Sequence, residues 1–391
     1  MKRTFALIFL LISVRIAFAQ DYGVMQPYPD RPGAETPVPS GYKPFYISHF
    51  GRHGSRYLSK EKTVLPALNA LMQAHNEGVL TTYGELLLAK AEEIYARSTG
   101  MWGQLSPLGV EEHKHIAYRM VKRCPSAFTD SVRVMASVYP RCILSMAAST
   151  GEIARLSPST KWSYRVGTRY QSIINTRHRP SDWVPGVSLQ RNYLKEKLDV
   201  DLLLSHLFID LERGKEIVGN PYAFFKAVYS IWAGREAIAL EPFALDSLLG
   251  KEAVKILCAS ESLSSYRNMA IPNSDSLITD IVRRADVALA SAKPSADLRY
   301  GHDNGFMRLL VQIGMCGYPM DLDDDKAAGY CFSDKVPLAA NFQMIFYRNR
   351  KGKVLVKFLI NEKECAMNAL TGGPYYEWDD VRAILDKHCL K

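Results

Sequence analysis

Apolar positions along this chain follow two periods, and each change of period marks an element. Residues 43–50 (KPFYISHF) form a short, mostly apolar run that stops at Gly51, which predicts a buried strand. Residues 131–137 (SVRVMAS) alternate, as a half-buried strand does. Residues 63–75, 84–98 and 107–123 carry apolar side chains at helical spacing. In 276–292, Leu277, Ile281, Ala285 and Leu289 share one face and predict a capped helix. A second short strand is predicted at 296–301, with a helix from about 305 to 316. Residues 342–347 and 354–360 read as a hairpin around Arg348-Asn349-Arg350-Lys351-Gly352. Residues 21–44 form an extended lead-in rich in Pro, Gly and Tyr. Residues 150–265 read as mostly helical and irregular, broken by Arg177-His178-Arg179-Pro180. No internal repeat is present. Strand–helix alternation at both ends predicts an α/β unit assembled from 20–149 and 266–391, with a mainly helical cap inserted at 150–265.

Composition narrows the class. The chain has 391 residues, 47% hydrophobic and 23% charged, which excludes disordered, collagen-like and low-complexity proteins. Mean hydropathy is −0.12 and no apolar stretch is long, which excludes a polytopic membrane protein. The first residues carry a targeting pattern: Lys2 and Arg3, an apolar run at 5–14, then Ala17-Phe18-Ala19. This order predicts a signal peptide at 1–19, export to a periplasm or the medium, and no stable membrane insertion after cleavage. Arg15 places a charge between the apolar run and the cleavage point. No Cys follows that point, so no lipoprotein signal is present. Cleavage removes Lys2, Arg3 and Arg15 and no acid, so the net charge falls from +9 to +6. A basic protein favours anionic partners, and charge alone does not say which. Seven cysteines remain (124, 142, 258, 316, 331, 365 and 389); in an exported protein some can pair, and the odd number leaves at least one unpaired. None has the spacing of a zinc site.

The most informative stretch is Arg52-His53-Gly54-Ser55-Arg56, directly after the first strand. Loops at the carboxyl ends of strands in α/β folds face the usual ligand crevice. Two arginines there offer planar, multiply donating cations suited to phosphate oxygens. A histidine among cations tends to stay neutral, which leaves one ring nitrogen as a nucleophile. Gly54 is expected to let backbone amides approach an anion closely. On these five residues alone, a solvated basic turn is an equally good reading. Arg299-Tyr300-Gly301-His302-Asp303-Asn304 lies at a second strand-to-helix junction. There His302 is placed to donate to a phosphate and Asp303 to protonate a leaving alkoxide.

RHGSR followed far downstream by GHD resembles the histidine acid phosphatases, the phytase branch of the histidine phosphatase superfamily. Tyr139-Pro140-Arg141-Cys142 with Ser145 is similar to the family's second arginine motif. Val336-Pro337-Leu338-Ala339-Ala340-Asn341, with the strands through Glu362, is similar to the C-terminal part of bacterial multiple inositol polyphosphate phosphatases. The resemblance implies a three-layer α/β fold, a mixed sheet flanked by helices, whose cap sets specificity. It implies an enzyme acting on small phosphate esters, with His53 as nucleophile and Asp303 as proton donor. Arg52, Arg56, Arg141 and His302 would bind the phosphoryl group, and Lys60 the substrate; no metal or other cofactor is implied. Two motifs depart from the family pattern: Leu58 stands where Pro is usual, and His302-Asp303-Asn304 replaces the His-Ala-Glu of the inositol polyphosphate branch. The leading function is hydrolysis of inositol polyphosphates such as phytate through a phosphohistidine. A broad acid or sugar phosphatase and an inactive polyanion-binding relative are the alternatives.

Other residues have blander expectations. His113 and His115 point to different faces of a solvated helix, not to a metal. His49 is expected in the core. Ser48 and Ser149 lack a nucleophile elbow, and residues 321–325 (DLDDD) lack the spacing of a calcium loop. Arg177, Arg179 and Lys195 are either exposed basic residues or the lining of a polyanion cleft. No aromatic-plus-basic platform points to nucleic acid.

Overall fold

The computed structural model describes residues 22–174, 183–291 and 293–390. The targeting segment and the Arg177–Pro180 stretch lie outside the described residues. Among the described residues, eight strands form one mixed sheet. β1 (Tyr42–Arg52), β2 (Ser131–Ala136), β3 (Lys161–Val166) and β4 (Ser295–Gly301) run parallel in the order β3-β2-β4-β1. β5 (Asn341–Asn349) pairs antiparallel with β1, and β6 (Val354–Ile360) antiparallel with β5. β7 (Lys363–Cys365) and β8 (Tyr375–Glu377) both pair with β6.

The helices are α1 (Leu65–Asn76), α2 (Thr82–Ser98) and α3 (Pro107–Arg123) before β2, then α4 (Pro140–Leu156) after it. Beyond β3 come α5 (Gln171–Ile174), α6 (Gly186–Lys197), α7 (Val200–Leu207), α8 (Leu211–Val218), α9 (Pro221–Gly234), α10 (Leu245–Leu249) and α11 (Lys251–Met269). α12 (Asp275–Ala290) precedes β4, and α13 (Asp303–Gln312) follows it. The predicted cap on α12 is absent as a contact: the Ser274 side chain makes no capping hydrogen bond.

Alternation along the strands divides the core. Ile47, Val132, Val134 and Leu298 pack toward α3 and α4, where they are essentially fully buried. Each such side chain is worth about 1.5–3 kcal/mol. Tyr46 and Phe50 face the opposite way, into a cluster with α12 and α13. The sheet is therefore the middle of three layers.

A second body is helical, and its membership differs from the predicted 150–265 interval in two ways. β3, inside that interval, is an edge strand of the sheet. α1 and α2, outside it, share one hydrophobic cluster with α7, α9, α10 and the start of α11. The reason is burial. α1 and α2 each carry one apolar face, and that face is covered by Phe224, Phe225, Val228 and Ile231 of α9 and its neighbours rather than by the sheet. None of the seven cysteines forms a disulfide, although the sequence left room for some to pair. Among the described residues, no helix is long and apolar enough to cross a membrane.

Candidate active site

The sheet register brings two distant sequence clusters to one crevice. Arg52 of β1 pairs with Gly301 of β4, and Ala136 of β2 with Tyr300, so three chains leave the sheet at one level. The His53 amide donates to the Gly301 carbonyl (2.9 Å) and the Ser137 amide to the Tyr300 carbonyl (3.0 Å). Asp303 opens α13, and Arg141 lies in the first turn of α4. Arg52, His53, Arg56, Arg141, His302 and Asp303 are thereby brought together. Arg299 is not: it pairs with Asp280 of α12 at 2.7 Å and donates to Ser48 of β1.

Three guanidinium groups dominate the electrostatics. Arg52 is fully buried; Nη1 donates to the Val336 carbonyl (2.7 Å) and Nη2 to Asp303 Oδ2 (3.1 Å). Arg56 Nη1 donates to the Tyr57 carbonyl (2.9 Å), and Arg141 lies 5.0 Å over the Tyr139 ring. The Nε–H of each of the three is buried without a hydrogen-bond partner. Buried donors are almost always satisfied, so three unpartnered Nε–H groups on the arginines around His53 fit a site built for an acceptor-rich anion.

Protonation states follow from this field. Burial first, then Arg52, Arg141 and Arg56, hold His53 well below the ordinary imidazole value, so the ring is neutral. Its Nδ1–H donates to the Gly54 carbonyl (3.0 Å), which leaves the Nε2 lone pair unprotonated. Burial and Arg141 likewise lower His302 to about 4. Burial pushes the Asp303 carboxyl up, but Arg52, His302 and the Asn304 amide outweigh it and hold it below the usual carboxylate range. Asp303 is thus ionised in the free site, whereas a proton donor needs its carboxyl protonated. Arg56 falls to about 9 through burial and the neighbouring arginines.

The loop after β1 is held from below by contacts that the motif did not reveal. An added Cβ on Gly54 would lie 2.6 Å from the Gly109 carbonyl of α3, and one on Gly109 would lie 2.2 Å from the Ser55 carbonyl. Gly54 is therefore a packing requirement, and its amide donates to Ser145 Oγ (3.1 Å) rather than standing open to an anion. One turn along α3, the buried Glu112 carboxylate accepts from the Ser55 amide (2.7 Å), the Ser55 hydroxyl (2.6 Å) and the Tyr28 amide (2.9 Å). The only sequence signal for Glu112 is its place on the Gly109 face, one turn away.

Remaining residues sort plainly. Lys60 is exposed at the start of the turn Glu61–Thr63. Leu58 is buried in the helical body, where a Cβ on Gly234 would touch it at 2.6 Å. His49 is buried against Tyr300. His113 also packs on Tyr300 and is buried, which corrects the solvated-helix expectation; His115 is exposed and pairs with Asp30. Asp323 caps the short helix Asp324–Ala328 from solvent, and Lys195 is exposed on α6.

No family profile matches the chain, and no curated protein matches it in sequence. Solved structures do match its fold. The multiple inositol polyphosphate phosphatase of Bifidobacterium longum, in complex with inositol hexasulfate, superposes with a TM-score of 0.72 at 16% identity, covering 95% of this chain and 98% of that one. The phytase from D. castellii gives 0.68 at 13% identity, covering 94% and 85%. Hafnia alvei phytase in its apo form gives 0.53 at 13% identity, covering 90% and 98%. At these identities the likeness is one of fold.

Proposed function

We propose that this chain is a histidine acid phosphatase, an exported phosphomonoesterase that hydrolyses inositol polyphosphates such as phytate through a phosphohistidine. One observation carries the reading: a neutral His53, with its Nε2 lone pair unprotonated, stands among Arg52, Arg56 and Arg141, whose buried Nε–H groups lack partners. The fold shared with the B. longum and D. castellii enzymes supports it.

In the proposed reaction, Arg52, Arg56, Arg141 and His302 hold the phosphoryl oxygens and stabilise the charge that gathers there. His53 Nε2 attacks phosphorus in line as the ester P–O bond breaks. Asp303 gives its proton to the departing alkoxide. The Asp303 carboxylate then takes a proton from water, whose oxygen attacks phosphorus as the Nε2–P bond breaks. A bound ester's negative charge offsets Arg52 and Arg56, which raises the Asp303 carboxyl toward the protonated form that the first step needs. Residues 150–265 and Lys60 would contact the rest of a large, highly charged substrate, and residues 1–19 would direct export.

The test is phosphate release from phytate against simpler sugar and aryl esters, with the inositol products resolved. The reading expects release from phytate, and loss of turnover in His53→Ala with phosphate binding retained. Release from small esters alone would favour a broad acid phosphatase, and binding without any release an inactive relative.

A further inference from the structure

Arg141, His302, Ser137 and Gln171 form a chain of hydrogen bonds that has only one consistent direction. Arg141 Nη2 lies 3.3 Å from His302 Nδ1. A guanidinium group has no lone pair to offer, so it donates and Nδ1 accepts. The ring proton of a neutral His302 must then sit on Nε2, which is 3.2 Å from Ser137 Oγ. Ser137 accepts that proton's hydrogen bond, so its own hydroxyl hydrogen must point elsewhere. It donates to Gln171 Oε1 at 3.1 Å. The Gln171 amide is oriented in turn by its Nε2–H, which donates to the Gly167 carbonyl at 3.4 Å.

We infer that Ser137 and Gln171 are positioning residues for His302: they hold its ring in the Nε2–H tautomer, which keeps Nδ1 as the proton-accepting atom beside Arg141. The consequence for turnover rests on the phosphomonoesterase reading; the tautomer itself does not. An ester that binds as its monoanion transfers its acidic proton to Nδ1 and becomes the dianion. His302 becomes an imidazolium whose Nε2–H stays on Ser137 and whose Nδ1–H donates to a phosphoryl oxygen. Without an acceptor at Ser137, that second N–H would be buried and unpaired, at a cost that opposes the transfer.

Every charged or titratable neighbour bears on this equilibrium. Arg141 and Cys142 face His302 from α4, Arg52, His53 and Arg56 from β1 and its loop, and Asp303 from α13. The Cys142 thiol donates to the Gly301 carbonyl (3.3 Å) and burial pushes it up to about 12, so it stays a neutral packing group. Tyr139 meets the ring edge-on at 5.0 Å.

The test combines two readouts on the full chain. With 15N-histidine labelling, the His302 ring nitrogens of the ligand-free protein should show the Nε2–H pattern. Gln171→Leu frees the Ser137 hydroxyl to donate to Nε2, so His302 should shift toward the Nδ1–H form. Gln171→Glu keeps an acceptor for Ser137 and should keep Nε2–H. In turnover, Gln171→Leu and Ser137→Ala should lower kcat/KM by about 10–100-fold, the usual worth of an outer partner that fixes a functional histidine. Gln171→Glu should retain most activity and move the falling limb of the pH profile upward, because its negative charge favours the imidazolium. Two results overturn the inference: an Nδ1–H wild type, or identical tautomers and pH profiles in the Leu and Glu variants. If the tautomers behave as stated but no ester is hydrolysed by the wild type, the phosphatase reading falls and the positioning role stands.

Discussion

The proton-donor role proposed for Asp303 faces two opposing demands at the scale of a single residue. A proton donor must be protonated when the P–O bond breaks, yet Arg52 at 3.1 Å and the Asn304 amide at 2.8 Å favour its carboxylate in the free site. Substrate charge and low pH both tip the balance back, so turnover should rise as pH falls below neutrality. Leaving-group basicity separates this role from a structural one. An inositol alkoxide needs a proton as it departs, whereas a nitrophenolate does not. Asp303→Asn keeps the shape and cannot transfer a proton. Its single-turnover phosphorylation rate on phytate should fall by about 10²–10⁴-fold, and clearly less on a nitrophenyl ester. Equal losses on both substrates would show that Asp303 is not the leaving-group acid.

Between residue and fold stands the contact of α3 with the loop after β1. Gly109→Ala puts a methyl group 2.2 Å from the Ser55 carbonyl, so the loop or the helix must move. The expected cost is about 1–3 kcal/mol of stability, as for other overpacked sites. The expected drop in kcat exceeds tenfold, since Ser55 joins His53 to Arg56. Gly151 on α4 is the matched control, because a Cβ there meets nothing within 4 Å. Gly151→Ala should stabilise by about 0.5–1 kcal/mol and leave turnover unchanged. Thermal melts and initial rates of the two variants check both statements. Elements with one strong period were legible from the sequence alone: β1, β2, β4, the β5–β6 hairpin and α1 to α3. The edge strand β3 was less so. Its K-W-S-Y-R-V does alternate, but it lies in a run dominated by helical spacing, and it buries little on either face. The convergence of the motif arginines and histidines was legible because they sit in three short segments, the loop after β1, the start of α4 and the β4–α13 junction. Glu112 and Gln171 were not, because each acts through a partner brought near only by folding, 57 residues away for Glu112 and Ser55 and 34 for Gln171 and Ser137.

At the scale of the whole fold, four buried neutral histidines among the described residues set an acid limit on stability. Burial lowers His49 and His113 to about 3 and His302 to about 4, and holds His53 well below its ordinary value. Below about pH 6.5 the unfolded chain takes up protons at these positions and the folded chain does not, so stability present near neutrality is lost as pH falls. Each of the deeply lowered pair, His49 and His113, contributes up to roughly 3 kcal/mol of that loss by pH 4. Denaturant unfolding of the ligand-free protein should show a midpoint that falls steadily from pH 7 to pH 4; a flat profile would refute these neutral states. The proposed catalysis, which gains from acid, would thus meet a fold that loses by it, and activity is expected only under mildly acidic conditions. The central claim remains the covalent one, and rapid-quench trapping with a 32P-labelled monoester tests it most directly. The wild type should yield acid-labile, base-stable phosphate on the peptide that contains His53, and His53→Ala should yield none. Label on a serine, an aspartate or another histidine, or hydrolysis with no trapped phosphoprotein in the pre-steady state, would contradict it.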